Sequence, residues 1–141
     1  MKNFFDTSVL VTAFIEQNAR HLECRTLLSA MRPETAACGL HSLAELYSVV
    51  TRLPHPLRLR PEQGILVVDE VKKRLSSVAL QEKEYLATLQ AAADAGVSGG
   101  PVYDALLLAC ARKVKADRIY TLNLRHFRAL APDLADRIVT P

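Results

Sequence analysis

The chain has 141 residues, half of them hydrophobic and 23% charged, with a formal net charge of +3 at pH 7. That composition is globular, with enough apolar residues for a real core, and it excludes a disordered chain. The mild basicity permits a polyanionic partner without demanding one, and no apolar run approaches the length of a membrane span.

The chain opens with a short apolar strand at Phe4-Phe5 that ends at Asp6, and Thr7-Ser8 then suit a helix start because their hydroxyls accept bonds from free backbone N–H groups. Val9 to Ile15 reads as the first helix and His21 to Met31 as the second, ended by Arg32-Pro33. Thr35 to Cys38 is a second strand closed by Gly39, and Ser42 to Leu53 a third helix stopped at Pro54. The segment His55 to Pro61 is rich in proline and arginine and reads as an exposed loop. A fourth helix follows from Pro61-Glu62 to Leu75. Ser77 to Leu80 is a strand, Gln81 to Ala95 a helix, and Pro101 to Lys115 a helix with a nearly all-apolar middle. Arg118 to Leu122 is the fourth strand, Arg125 to Leu130 a short helix, and Arg137 to Val139 a closing strand. Strands alternating with helices predict parallel pairing through crossovers and a three-layer α/β/α sandwich.

No linker or repeat divides residues 1–141, so they read as one domain. Cys24, Cys38 and Cys110 are odd in number and set among apolar residues, which predicts buried thiols in a reducing compartment. The histidines lack helical metal-binding spacing, and the N-terminus lacks a basic–apolar–cleavage pattern. The expected location is cytoplasmic.

Three carboxylates stand at strand ends or helix starts among apolar neighbours. Asp6 follows the first strand, Glu45 opens the third helix, and Asp104 lies in the first turn of the sixth. In an open parallel sheet ligands bind beyond the carboxyl ends of the strands. Topology alone puts Asp6 and Glu45 on that edge. Asp104 joins them if its helix also starts there. Clustered acids repel each other and resist burial, and a hard divalent cation such as Mg²⁺ offsets both effects. Each acid also has a plain structural reading. Ser42-Leu43-Ala44-Glu45 has the form of a capping box, Asp104 suits a helix macrodipole, and Asp6 suits a cap. The joint occurrence at one edge favours a site.

These residues resemble a family, the PIN-domain ribonucleases, in particular the VapC type of toxin from prokaryotic toxin–antitoxin pairs. The matching pieces are Phe5-Asp6-Thr7-Ser8-Val9-Leu10, Ser42-Leu43-Ala44-Glu45-Leu46, Val102-Tyr103-Asp104-Ala105-Leu106 and Ile119 through Phe127, in the family's order and spacing. The resemblance implies a mostly parallel five-stranded sheet between helices and a pocket that binds Mg²⁺ or Mn²⁺ and cleaves single-stranded regions of RNA. It implies Asp6, Glu45 and Asp104 as metal-binding carboxylates, with Ser8 and Thr121 as hydroxyls that support them. Asn123 falls where many members carry a fourth acid, and supplies a neutral oxygen instead. The resemblance further implies products with a 5′-phosphate and a 3′-hydroxyl, a homodimer, and a groove for a cognate antitoxin.

Arg125 and His126, next to Asn123, are candidate phosphate contacts. Arg58, Arg60 and the run Lys72-Lys73-Arg74 read as solvated basic surface, Asp117 as a turn residue at the opposite edge, and Phe127 as core. Leu46, Val50, Val67 and Val71 read as core by default. A catalytically weak PIN module that binds RNA or protein is the alternative, supported by Asn123. A receiver-type phosphoacceptor fits poorly because the first strand ends in a lone acid. Dinucleotide binding lacks its glycine fingerprint.

Overall fold

A computed structural model describes residues 1–141. β1 (Asn3–Phe5) lies at the centre of a five-stranded sheet, flanked by β2 (Ala36–Gly39) and β4 (Arg118–Tyr120), with β3 (Ser76–Val78) and β5 (Ile138–Val139) outside. All four pairings are parallel, so the sheet is wholly rather than mostly parallel. The order β3-β2-β1-β4-β5 makes the chain leave β1 toward one side and return to it from the other. That reversal opens a crevice beyond the carboxyl end of β1.

The strands are buried on both faces, and alternate side chains serve different cores. Phe5, Cys38 and Tyr120 face one way, onto Val9 and Leu10 of α1 (Thr7–Thr12), Cys24 and Leu28 of α2 (His21–Ser29), Leu46 and Val50 of α3 (Leu40–Val50), and Val71 of α4 (Pro61–Arg74). Phe4, Ala37 and Ile119 face the other way, onto Leu107, Leu108 and Ala111 of α6 (Pro101–Lys113) and Phe127 of α7 (Leu124–Leu130). α5 (Glu82–Asp94) packs on α6 from outside. Phe4 and Phe5 are fully buried, and each contributes roughly 1.5–3 kcal/mol by leaving water. The thiols of all three cysteines are free and buried, as expected. No helix is long and apolar enough to cross a membrane.

Several boundaries differ from the sequence reading for local reasons. α1 starts two residues early, at Thr7, because Asp6 is itself the extended N-cap residue. α3 starts at Leu40 rather than Ser42, since Gly39 both ends β2 and caps the helix. It ends at Val50, where the Thr51 hydroxyl donates to the Tyr47 carbonyl and Pro54 soon disfavours helical backbone at Leu53. A 3-10 turn, Pro132–Arg137, shortens the closing strand to Ile138–Val139. Asp117 lies at the opposite edge, as expected, where its carboxylate accepts from the Lys2 N–H at 2.7 Å.

Gly39 is where α6 meets the β2–α3 corner. A Cβ there would stand 2.6 Å from Leu107 Cδ2, a side chain that is only 5% exposed. Gly39→Ala is therefore expected to cost about 1–3 kcal/mol through overpacking. Gly100→Ala, with nothing within 4 Å of its Cβ, is expected to stay within about 0.5 kcal/mol of the parent. Urea midpoints of the two variants check both expectations.

Candidate active site at the carboxyl edge

Asp6, at the end of β1, is 4% exposed. Two hydroxyls donate to the same oxygen, Oδ2: Ser8 Oγ at 2.6 Å and Thr121 Oγ1 at 2.8 Å. Each hydroxyl also accepts a backbone N–H, Ser8 from Leu122 at 3.1 Å and Thr121 from Asn123 at 2.9 Å. The accepted bond leaves each hydroxyl proton free to point at Asp6, so the direction of both donations is fixed. Burial raises the Asp6 pKa above the usual carboxylate value, and the hydroxyls of Ser8 and Thr121 with the N–H groups of Thr7 and Ser8 pull against it. Oδ1 carries no side-chain hydrogen bond.

Glu45 comes from the second turn of α3, because that helix starts at Leu40. The capping box expected at Ser42–Glu45 does not form. Ser42 is fully buried, and its Oγ sits 2.7 Å from Thr7 Oγ1, locking α3 against α1. The Glu45 carboxylate is thereby free of any capping duty. Burial raises its pKa most, His41 opposes this, and the charges of Asp6 and Asp104 raise it further. His41 Nε2 stands 3.8 Å from Glu45 Oε1 on the preceding turn.

Asp104 arrives in the first turn of α6, which begins at this edge. Burial raises its pKa first and the Asp6 charge second, while His126 lowers it. The His126 Nε2 lies 3.0 Å from Asp104 Oδ2. Asn123 is the residue before α7, with its side chain exposed. Arg125 and His126 share with it an open cavity of about 600 Å³, walled also by Leu122 and Leu124. Across the site, Glu45 and Arg52 line a second opening of about 410 Å³.

The three acids thus converge from three elements, near enough for each charge to disfavour a neighbour's. They do not form a ready cage, since no three His, Cys, Asp or Glu side chains are gathered closely enough to hold one ion. Asp104 turns to His126 and Glu45 toward His41. Carboxylates left to repel one another take the nearest donor. As donors they suit a hard divalent cation, being oxygen ligands whose ionised forms are disfavoured by burial and by each other.

Sequence reading located the acids and the two supporting hydroxyls. It did not find the Thr7–Ser42 lock, the pairing of His126 with Asp104, or His41 beside Glu45. The only sequence signal for these was hydroxyls in unusually apolar company and a histidine one helical turn before an acid. Arg58 and Arg60 are held locally, Arg58 by the Leu53 carbonyl and Arg60 by Glu62, which fits their reading as surface. Phe127 is fully buried, as are Leu46 and Val71.

The Thr121 hydroxyl favours the ionised form of Asp6 over the protonated one. Thr121→Val, which keeps shape and loses the donor, is expected to cost about 1.5–3 kcal/mol at pH 7. The Asp6 pKa, already raised by burial, rises further in the variant, so its deficit shrinks as pH falls and Asp6 takes up a proton. Urea denaturation at pH 7 and pH 4.5 checks the size and the sign.

A family profile described as PIN domain matches residues 4–131. Ribonuclease VapC27 of Mycobacterium tuberculosis is 33% identical over 112 residues, covering 79% of this chain and 78% of that protein. Ribonuclease VapC40 of the same species is 32% identical over 122 residues, 85% of each. The fold is also that of solved structures. Mycobacterium tuberculosis VapC20, described as a sarcin–ricin loop cleaving toxin, aligns with a TM-score of 0.72 at 16% identity over 91% of this chain and 95% of that one. VapBC2 from Rickettsia felis, bound to promoter DNA, aligns at 0.68 and 21% identity over 100% and 99%. The profile spanning both cores and the whole acidic edge, together with these relatives, places the chain in the PIN-domain family, among its VapC-type ribonucleases.

Proposed function

We propose that the chain is a divalent-metal-dependent endoribonuclease acting at this acidic edge, and the toxin of a toxin–antitoxin pair. The observation that carries the reading is the convergence of Asp6, Glu45 and Asp104 beyond the central strand, where Asp6 disfavours ionisation of both others. Neutral or purely structural residues would suit that edge better unless a cation is to be held there.

Asp6, Glu45 and Asp104 are the residues that would hold Mg²⁺ or Mn²⁺. When bound, such an ion lowers the pKa of water and offsets charge on a phosphoryl oxygen. Asp6 is clamped on Oδ2 by Ser8 and Thr121, so Oδ1 is the oxygen it can offer. Asn123 adds an uncharged side chain at the mouth. Arg125 is exposed in the cavity it shares with Asn123 and His126 and takes the role of a phosphate contact, positioning RNA without reading its sequence. His126, the other substrate candidate, is already engaged by Asp104.

The toxin role is supported by the VapC relatives and by the VapBC assemblies among the structural neighbours. A cognate antitoxin is the protein partner, and a second copy of this chain is the other. Leu40, Tyr85, Leu86 and Tyr103 are exposed apolar residues that such a contact would cover. Residues 1–141 act as one nuclease unit, in the cytoplasm. The alternative, a catalytically weak module, is favoured by Asn123 and by the absence of a preformed three-ligand cage.

Cleavage of a mixed RNA panel with mapped ends separates the two readings. The expected result is cutting with Mg²⁺ or Mn²⁺, none with EDTA, and a loss of ~10²-fold or more in Asp104→Asn. Cutting that survives EDTA, or a fully active Asp104→Asn, overturns the nuclease assignment. Arg125→Ala is expected to weaken RNA binding and to flatten its salt dependence, by about 0.7 in the slope of log K against log salt for one phosphate contact on a single strand.

A further inference from the structure

We infer that His126 is a positioning residue for Asp104, holding one carboxylate oxygen so that the other faces the candidate cation site, rather than a direct contact to RNA. The inference rests on the reading of Asp104 as a cation ligand. The His126 Nε2 is 3.0 Å from Asp104 Oδ2, a full hydrogen-bond distance. The imidazole is about two-thirds covered, and its Nε2 is directed at Asp104 on α6.

The position of the ring is fixed from three directions. The residue before the helix that carries it, Asn123, donates its N–H to Thr121 Oγ1, the same hydroxyl that clamps Asp6. The next residue, Phe127, is fully buried in the core with Phe4 and Ile119, which stops α7 from rolling. Arg128 Nη2 then donates to the Ile138 carbonyl at 2.9 Å, pinning the outer side to β5. The turn from β4 into α7 therefore touches both acids. Thr121 holds the one from β1, and His126 holds the one from α6. α6 also packs on β4 through Leu107, Leu108 and Ile119, but His126 is the polar partner of the Asp104 carboxylate itself. A carboxylate ligand whose second oxygen is hydrogen-bonded is oriented before the ion arrives, and loss of such an outer partner weakens metal binding by about 10–100-fold.

The test is Mn²⁺ binding to the full chain without RNA, by titration calorimetry, in the parent, His126→Ala, His126→Phe, His126→Gln, Asp104→Asn and the double variant Asp104→Asn/His126→Ala. RNA cleavage and the salt dependence of RNA binding are measured alongside. Removing the donor in His126→Ala, or in His126→Phe where the ring volume is kept, is expected to weaken Mn²⁺ about 10-fold or more. RNA KM and the salt slope stay unchanged. His126→Gln, whose amide N–H can reach the Nε2 position, recovers most of the binding. The double variant is no worse than Asp104→Asn, because the effect passes through Asp104. Unchanged Mn²⁺ affinity in both His126→Ala and His126→Phe, with weakened affinity in Asp104→Asn, overturns the inference and leaves the site reading standing. A raised RNA KM and a lower salt slope, unrescued by His126→Gln, assign His126 to RNA instead. Unchanged affinity in Asp104→Asn removes the site reading, and the inference with it.

Discussion

A carboxylate that ends the central strand of a sheet buried on both faces has almost no water to solvate it. Asp6 is in that position, and the rest of the site depends on how its charge is tolerated. The fold answers with two hydroxyls, Ser8 from the helix that follows β1 and Thr121 from the end of β4, both donating to Oδ2. Neither hydroxyl can turn away without abandoning the backbone N–H it accepts. The clamp therefore does two things. It opposes the neutralisation that burial favours, and it joins β1 to β4 through side chains as well as through the strand ladder. The crevice between those strands becomes a braced, acidic notch.

The other two acids lack a clamp of this kind. Glu45 and Asp104 are half-buried, and their pKa values are raised by burial and by neighbouring charge. A raised folded pKa means that the native state holds protons that the unfolded chain has already released. Stability therefore falls as pH rises through that interval, and at neutral pH the acids oppose folding. Residues that weaken the fold persist where they serve something other than the fold. The turning of Asp104 to His126 and of Glu45 toward His41 is the same strain seen as geometry.

Much of this was legible in the sequence, for identifiable reasons. The β1–Asp6–α1 corner reads directly, because an apolar pair, an acid and two hydroxyl residues in a row leave few other arrangements. The placement of Asp104 was legible because a proline and two glycines mark where α6 begins. Glu45 was placed at this edge by topology, and the rival reading of it as part of a capping box does not hold. Ser42 and Glu45 have the spacing of a capping box, but Gly39 starts the helix earlier, and Ser42 turns inward to Thr7. Local pattern could not reveal this, since the deciding partner is 35 residues away. The His126 contact was hidden for the same reason: its meaning depends on a helix that begins more than twenty residues earlier in the chain.

The bond from Thr121 to Asp6 spans 115 positions. It has a bearing on when, during synthesis, the molecule can acquire its chemistry. A nascent chain that has not yet delivered its fourth strand holds Asp6 with one hydroxyl instead of two and with an open sheet edge on that side. Contacts of such long reach form late, after the entropy of closing a loop of 115 positions has been met. The notch is therefore among the last features of this fold to be assembled, and it waits for β4 to be delivered.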